Sequence, residues 1–217
     1  MYIPKYAGIE VSEALDFIRA NGFAILVCRS PNGPVATHIP LRLFASGKSN
    51  VLRGHVARAN PQWKSWKAGD KVLAIFSGPH AYVSSSWYDH ENVPTWNYQA
   101  VHVHGTIRLT NPEETLQSLR ELTHHHEQSG THPVSVDSMS EEFLKREVRG
   151  LVGFELRIEK VEGAFKLSQN RDARNYREII RRLEERGDAA AAEVARAMKD
   201  ADPAKAGLTP DGQSGSA

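Results

Sequence analysis

The 217 residues carry 27 Lys and Arg against 26 Asp and Glu, a net charge of +1, and are 40% hydrophobic and 24% charged. That balance is ordinary for a folded globular chain and excludes collagen-like, fibrous and wholly disordered classes. It also leaves no overall field for nucleic acid or anionic lipid, so such binding would need a local basic patch. The length allows one large domain or two small ones. Cys28 is the single cysteine and sits in the apolar run Ala24-Ile25-Leu26-Val27, where it reads as a small buried hydrophobe. No basic-then-apolar leader opens the chain and no run approaches the ~20 apolar residues of a membrane span. The expectation is a soluble cytoplasmic protein with no membrane partner.

In chain order, Val11 to Asn21 reads as an amphipathic helix with Leu15 and Ile18 on its apolar stripe and Gly22 as its stop. Phe23 to Cys28 is continuously apolar, a buried strand. After the turn signal Ser30-Pro31-Asn32-Gly33-Pro34, the alternation Val35, Thr37, Ile39, Leu41, Leu43 predicts one strand, with Pro40 marking a sheet edge or bulge. Val51 to Ala57 is a third strand, followed by a helical turn capped by Asn60 ahead of Pro61. Val72 to Phe76 and Ala81 to Val83 read as two strands separated by a Gly78-Pro79 turn. Asn97 to Leu109 is long, with Val101, Val103, Gly105 and Ile107 on one face and His102, His104, Thr106 and Arg108 on the other. Short strands joined by turns predict an antiparallel sheet that curls into a barrel and so removes its edges.

Asn111-Pro112-Glu113-Glu114 then starts a helix with Leu116, Leu119 and Leu122 as its stripe, and Ser140 starts another with Phe143, Leu144 and Val148. A final strand begins at Val152, and its apolar phase flips near Glu159-Lys160, which predicts a bulge or bend. Asn175 to Arg186 and Ala189 to Met198 are helices. The expected architecture is mainly β with peripheral helices (α+β), a single domain over 1–200 with helical insertions and C-terminal helices. The stretch 201–217 is poor in large apolar residues and reads as a disordered tail.

Three chemical signals fail. Gly47-Lys48-Ser49 imitates the end of a phosphate loop, but Arg42 stands where the first glycine belongs. His124-His125-His126 sits at a helix end, and successive helical residues lie about 100° apart, so the three cannot face one metal. His102 and His104 share a strand face without a third ligand at metal spacing, so no metal is expected.

The informative window runs from Leu52 to His104. It holds all four tryptophans together with His55, Arg58, Asn60, Ser84, Ser86, Tyr98 and Gln99. Hydroxyls, amides and an arginine suit a ligand with an anionic end and a flat, hydrogen-bonding end, while core aromatics and loop polars account for the composition equally well. Five segments settle a resemblance: Ala36-Thr37-His38-Ile39-Pro40-Leu41, Gly54 to Trp63, Phe76 to Ser84, Val93 to Gly105, and Phe165-Lys166-Leu167-Ser168-Gln169-Asn170-Arg171. In the same order, from Met1 to about Lys199, they closely resemble the PaiB family. That family belongs to the FMN-binding split barrels and is commonly labelled a negative transcriptional regulator. Ser85 departs from the Ser-Pro-Ser the family often shows in that loop.

The resemblance implies a homodimeric split β-barrel with FMN at the subunit interface. Arg58 is then the arginine best suited to the phosphate, with Ser84 or Ser86 as hydroxyl donors. The backbone around His38, Ile39, Pro40 and Leu41 and the side chains of Asn97 and Gln99 would serve the isoalloxazine edge, and Trp96 and Tyr98 would cover an aromatic face. His55 and Asn60 complete the cofactor set, and Lys166, Gln169 and Arg171 are weaker candidates. Two functions stay open. One is a regulatory flavoprotein acting on DNA or on a regulatory protein partner. The other is an FMN-dependent oxidoreductase or flavin reductase, with haem binding or degradation as a smaller third reading. No catalytic residue is named, because FMN itself carries redox chemistry. For DNA, no helix-turn-helix is visible, and the best basic surface is a helix carrying Arg171, Arg174, Arg177, Arg181, Arg182 and Arg186, diluted by Glu178, Glu184 and Glu185.

Overall fold

A computed structural model describes residues 1–46 and 49–207. Gly47 and Lys48 of the phosphate-loop imitation and residues 208–217 of the expected tail lie outside the described residues. Helix α1 (Val11–Ala20) leads into β1 (Phe23–Ser30), β2 (Gly33–Pro40), β3 (Arg42–Ser46) and β4 (Ser49–Ala57). A short 3₁₀ turn, Pro61–Ser65, precedes the long strands β5 (Asp70–Val83) and β6 (Thr95–Leu109). Helices α2 (Pro112–Glu127) and α3 (Glu141–Arg149) come before β7 (Leu151–Lys166). Helices α4 (Ala173–Glu185), α5 (Ala189–Ala201) and α6 (Pro203–Ala206) end the described chain. The stretch read as tail from Ala201 therefore begins helical: Asp202 caps α6, and Gly207 closes it in the left-handed region (φ 82°).

Among the described residues one antiparallel sheet of seven strands runs in the order β2-β1-β5-β6-β7-β4-β3. It is open, with β2 and β3 as its edges, so closure does not remove the edges as the strand pattern suggested. The predicted Val35–Leu43 strand is in fact two. Pro40 ends β2 opposite Phe23, and Leu41, between the two strands, donates its N–H to Gly22 O at 2.8 Å before β3 begins. The predicted break at Gly78-Pro79 does not occur. β1 pairs with β5 only as far as Phe76, so Pro79 stands where no β1 neighbour needs its missing N–H.

The chain divides into two compact units. One comprises Val11–Phe76 and Val101–Val161. Its core is built on Leu26, Leu52, Phe76, Val103, Ile107, Phe154 and Leu156, with Trp66 edge-on to Phe154 at 5.0 Å. α2 opens there with a reciprocal cap: Asn111 accepts from the Glu114 N–H at 2.8 Å, and Glu114 accepts from the Asn111 N–H at 3.0 Å. The other unit comprises Met1–Glu10, Ser77–Ala100 and the described chain from Glu162 onward. Tyr176, Ile179, Ile180 and Leu183 of α4 pack with Val194, Ala195 and Met198 of α5, and Tyr176 donates its hydroxyl to Met198 O at 2.6 Å. β7 crosses from one unit to the other as a single strand, with the exposed residues Arg157, Glu159 and Lys160 between buried stretches at 152–156 and 163–165. No helix among the described residues is long and apolar enough to cross a membrane.

Candidate functional site

In the first unit the candidate residues gather at the β2 edge and the end of β4. Asn60 caps the 3₁₀ turn, accepting from Gln62 N–H at 2.9 Å, and its amide donates to Thr37 Oγ1 at 3.0 Å. Thr37 in turn bonds the Gln62 side chain, and the buried Gln62 donates to Leu26 O at 3.2 Å. This knot of Thr37, Asn60 and Gln62 ties β2 and β1 to the turn after β4. The sequence pointed to Asn60 alone, because Thr37 and Gln62 carry no spacing signal. Ile39 and Leu41 are buried and Pro40 half-buried, while His38 is exposed and edge-on to Phe23 at 6.2 Å. Because β2 has a neighbour on one side only, backbone groups on its outer side are free of the ladder and can serve a ligand.

Arg58 is exposed at the mouth of a groove of about 670 Å³ whose apolar wall includes Leu116, Met139, Leu144 and Val148. Its Nε donates to Arg149 O at 2.6 Å and Nη2 to Leu151 O at 2.7 Å, so two of its five donors are engaged by the junction of α3 and β7. The guanidinium lies 5.8 Å from the Trp63 ring, and Trp63 Nε1 donates to Arg58 O at 2.9 Å. His55 faces Gly153 across the β4–β7 ladder, and burial pushes its imidazole below the ordinary value, favouring the neutral ring.

The second unit presents a different set. Ser84 caps the turn Ser85–Trp87, and its hydroxyl lies 2.9 Å from that of Ser86. Trp96 is 53% exposed, 6.0 Å from the His80 ring and 5.9 Å from Tyr82, an open aromatic surface on β5 and β6. Lys166 reaches across to Thr95 Oγ1 and donates to Trp96 O at 2.7 Å. Burial, then the charge of Arg171, lowers its pKa. Tyr98 and Gln99 are half-buried. Asn97 is wholly buried: its amide points to Met198 Sδ at 3.4 Å, and its oxygen accepts from Ser168 Oγ at 3.0 Å. That bond holds Ser168 at φ 63°, a left-handed backbone that a residue other than glycine adopts only when its surroundings impose it. Gln169 closes the same turn, accepting from Leu167 N–H at 2.8 Å and donating to Phe165 O. Asn97 and Gln169 thus have their side chains committed to the fold.

The basic helix is largely neutralised. Arg181 and Arg182 both bond Glu178, whose carboxyl they hold down at about 2, and Arg181 also reaches Glu185. Arg174 pairs with Asp89 at 3.2 Å and Arg186 with Asp188 at 3.0 Å. Among the described residues no group of three or more His, Cys, Asp or Glu side chains is arranged to hold a metal.

Residues 1–160 match the family described as "Putative FMN-binding domain". The chain is 39% identical over 201 residues to the Bacillus subtilis protein named protease synthase and sporulation protein PAI 2, which covers 92% of this chain and 97% of that one. Among solved structures it is similar to the FAD and heme binding protein from Mycobacterium smegmatis (14% identity, 72% of this chain and 71% of that one, TM-score 0.55). It is also similar to the flavocytochrome Anf3 from Azotobacter vinelandii (14% identity, 76% and 72%, TM-score 0.54). At such identity these two likenesses concern the fold alone, and the fold class is the split barrel.

Proposed function

We propose that this chain, which belongs to the PaiB-type family of FMN-binding domains, is a flavin-binding regulatory protein that works in the cytoplasm as a homodimer. Its cofactor is FMN, which when bound supplies the redox chemistry of the isoalloxazine ring. The regulatory reading is carried by the match to the sporulation protein, which runs along nearly the whole of both chains rather than through one shared module.

The residues present suit FMN in kind. Arg58 keeps three N–H donors without a partner among the described residues, which suits a phosphate close to a dianion. The Ser84 and Ser86 hydroxyls are donors of a kind a phosphate takes, and the outer backbone of His38 to Leu41 offers groups of the kind a flavin ring edge takes. Trp96 and the half-buried Tyr98 are the aromatic partners. His55, held neutral, can accept or donate one hydrogen bond without placing a charge beside the ring. The committed amide of Asn97 supports this set from inside the fold.

The test is a titration with FMN followed by absorbance and fluorescence. Saturable binding at one flavin per chain is expected, and a colourless protein that fails to saturate contradicts the reading. Arg58→Ala should weaken FMN about ten- to a hundred-fold, the loss of a charge-assisted contact of roughly 1.5–3 kcal/mol. Its melting temperature serves as the control for the two lost carbonyl bonds. An unchanged dissociation constant would move the phosphate to Lys166 or Arg171.

The proposed dimer should appear in light scattering at twice the chain mass at micromolar concentration, and a monomer with FMN bound would contradict it. The ion pairs along α4 support regulation through a protein partner or the state of the flavin rather than through operator contact. Binding of promoter DNA by the purified dimer should therefore be weak and collapse with salt, as purely electrostatic phosphate contacts do. A sequence-specific footprint that survives raised salt would make operator contact the function instead.

A further inference from the structure

The knot of Thr37, Asn60 and Gln62 does more than tie strands together, because the direction of every hydrogen bond in it is fixed. Its two ends are backbone groups that cannot change role. Leu26 O only accepts, so the group that Gln62 turns toward it at 3.2 Å is the amide nitrogen. Gln62 Oε1 then faces Thr37, and an oxygen that only accepts obliges the Thr37 hydroxyl to donate to it. With its one proton given, Thr37 Oγ1 can only accept from Asn60, whose nitrogen lies 3.0 Å away. At the other end the Gln62 N–H only donates, and it takes Asn60 Oδ1 at 2.9 Å. Both ends demand the same orientation of Asn60.

An asparagine amide that is free to turn offers a ligand either its oxygen or its nitrogen. Asn60 has lost that choice. Turned over, it would set an oxygen against the lone pairs of Thr37 and an N–H₂ against the Gln62 N–H, exchanging two hydrogen bonds for two repulsive contacts. One of its two N–H groups is engaged by Thr37, and the second has no partner among the described residues. Asn60 is half-buried, whereas Gln62 is only 5% exposed, so Asn60 is the end of the relay that a ligand can meet. It follows Arg58, the residue assigned above to the flavin phosphate, by two positions.

We propose that Thr37 and Gln62 are positioning residues for the flavin: they lock the Asn60 amide so that its second N–H is presented to an oxygen of the FMN phosphate as a donor that cannot become an acceptor. The inference rests on the FMN reading above and adds to it two residues that act through Asn60 rather than on the ligand. A phosphate close to a dianion offers acceptors only, so an amide fixed in advance as a donor binds it without first losing the freedom to turn.

The experiment uses the full chain with and without FMN. In the free protein, NMR should find one N–H of the Asn60 side chain protected from exchange and the other open, and FMN should shift the open one more. Thr37→Val keeps the shape and removes the hydroxyl. It should weaken FMN about three- to ten-fold, as loss of a neutral hydrogen bond does, and should move the phosphorus NMR signal of the bound flavin. Thr37→Ser should bring both back near the parent. Asn60→Ser keeps an oxygen to cap the turn but has no amide, and should weaken FMN to a similar degree. Adding Thr37→Val to Asn60→Ser should then weaken it no further, because Thr37 acts only through Asn60. Additive losses in the double variant, a parent-like affinity and phosphorus signal in Thr37→Val, or two Asn60 protons that respond alike to FMN would overturn the relay. The amide measurement needs no variant, so it decides even where Thr37→Val does not fold. A parent that fails to bind FMN would instead remove the FMN reading, while exchange of the two amide protons in the free protein still tests the lock on Asn60.

Discussion

Glu155→Gln should lower the melting temperature by roughly 6–12 °C, the equivalent of about 3 kcal/mol for a chain of this size. Glu155 is buried on β7 and is shared by two arginines: Arg53 Nε donates to one carboxylate oxygen at 2.8 Å and Arg108 Nε to the other at 3.0 Å. Removing one partner of a buried pair costs more than the pair contributes, because the remaining charge is stranded. Here Arg53 loses its carboxylate and Arg108 keeps Glu114 alone, while a glutamine turns an N–H₂ donor toward one of the two arginines. The loss falls at the low end for a buried pair because the Arg108 side chain is 41% exposed, so water relieves part of it. Glu114 also holds Arg108, at 2.8 Å, which keeps that arginine partly paired in the variant. A melt within 2 °C of the parent would show that the network is screened and contributes little.

The same network sets an acid limit. Arg108, helped by the Asn111 N–H, holds the Glu114 carboxyl at about 2 against an ordinary value near 4.5. A carboxyl whose pKa is depressed on folding contributes stability that is complete above its unfolded value and lost as pH falls toward its folded one. Its share should therefore disappear between about pH 4.5 and 2. Glu114→Gln should flatten that part of the curve of melting temperature against pH.

Gly105→Ala should cost at least about 3 kcal/mol, at or beyond the upper end of ordinary overpacking. A Cβ at this position would lie 2.1 Å from Arg157 O and 2.6 Å from Leu156 Cδ2, so β6 could accept it only by moving away from β7. The obstacle at 2.1 Å is backbone, not the end of a flexible side chain. Gly8→Ala is the control: its new methyl would meet Ile3 Cγ2 at an ordinary 3.6 Å and should change the melt by less than about 1 kcal/mol. Gly105 belongs to one of the segments that carry the resemblance to the flavin family, and the close approach of β6 to β7 explains it without a ligand. FMN binding by Gly105→Ala should be lost only in proportion to unfolding. A variant that melts like the parent yet no longer holds FMN would reverse that account.

Other motif residues divide in the same way. In the segment Phe165 to Arg171, Ser168 and Gln169 close a left-handed turn, and Asn97 secures it from β6. Their amides and hydroxyl look like ligand donors in the sequence. Only the fold reveals that their partners are internal. Arg58 and Trp96 are the reverse case, candidates from the sequence that remain exposed in the folded chain.

Local chemistry was enough to determine α1, the Asn111–Glu114 cap of α2, the Ser140 start of α3, the Asn60 turn and the buried face of β6, because caps and apolar periodicity act within one or two turns of chain. The family was legible too, since five ordered segments carry it without reference to contacts. Three features waited for the tertiary structure. Whether Pro79 breaks a strand depends on where β1 stops pairing with β5, and whether the sheet closes depends on whether its end strands β2 and β3 pair, which the strand order shows they do not. Which polar side chains remain free for a ligand depends on partners tens of residues away: Glu155 for Arg53, and Met198 and Ser168 for Asn97. A sequence displays donors and acceptors. Long-range packing decides which of them are already satisfied, because a buried polar group must find a partner wherever the fold brings one.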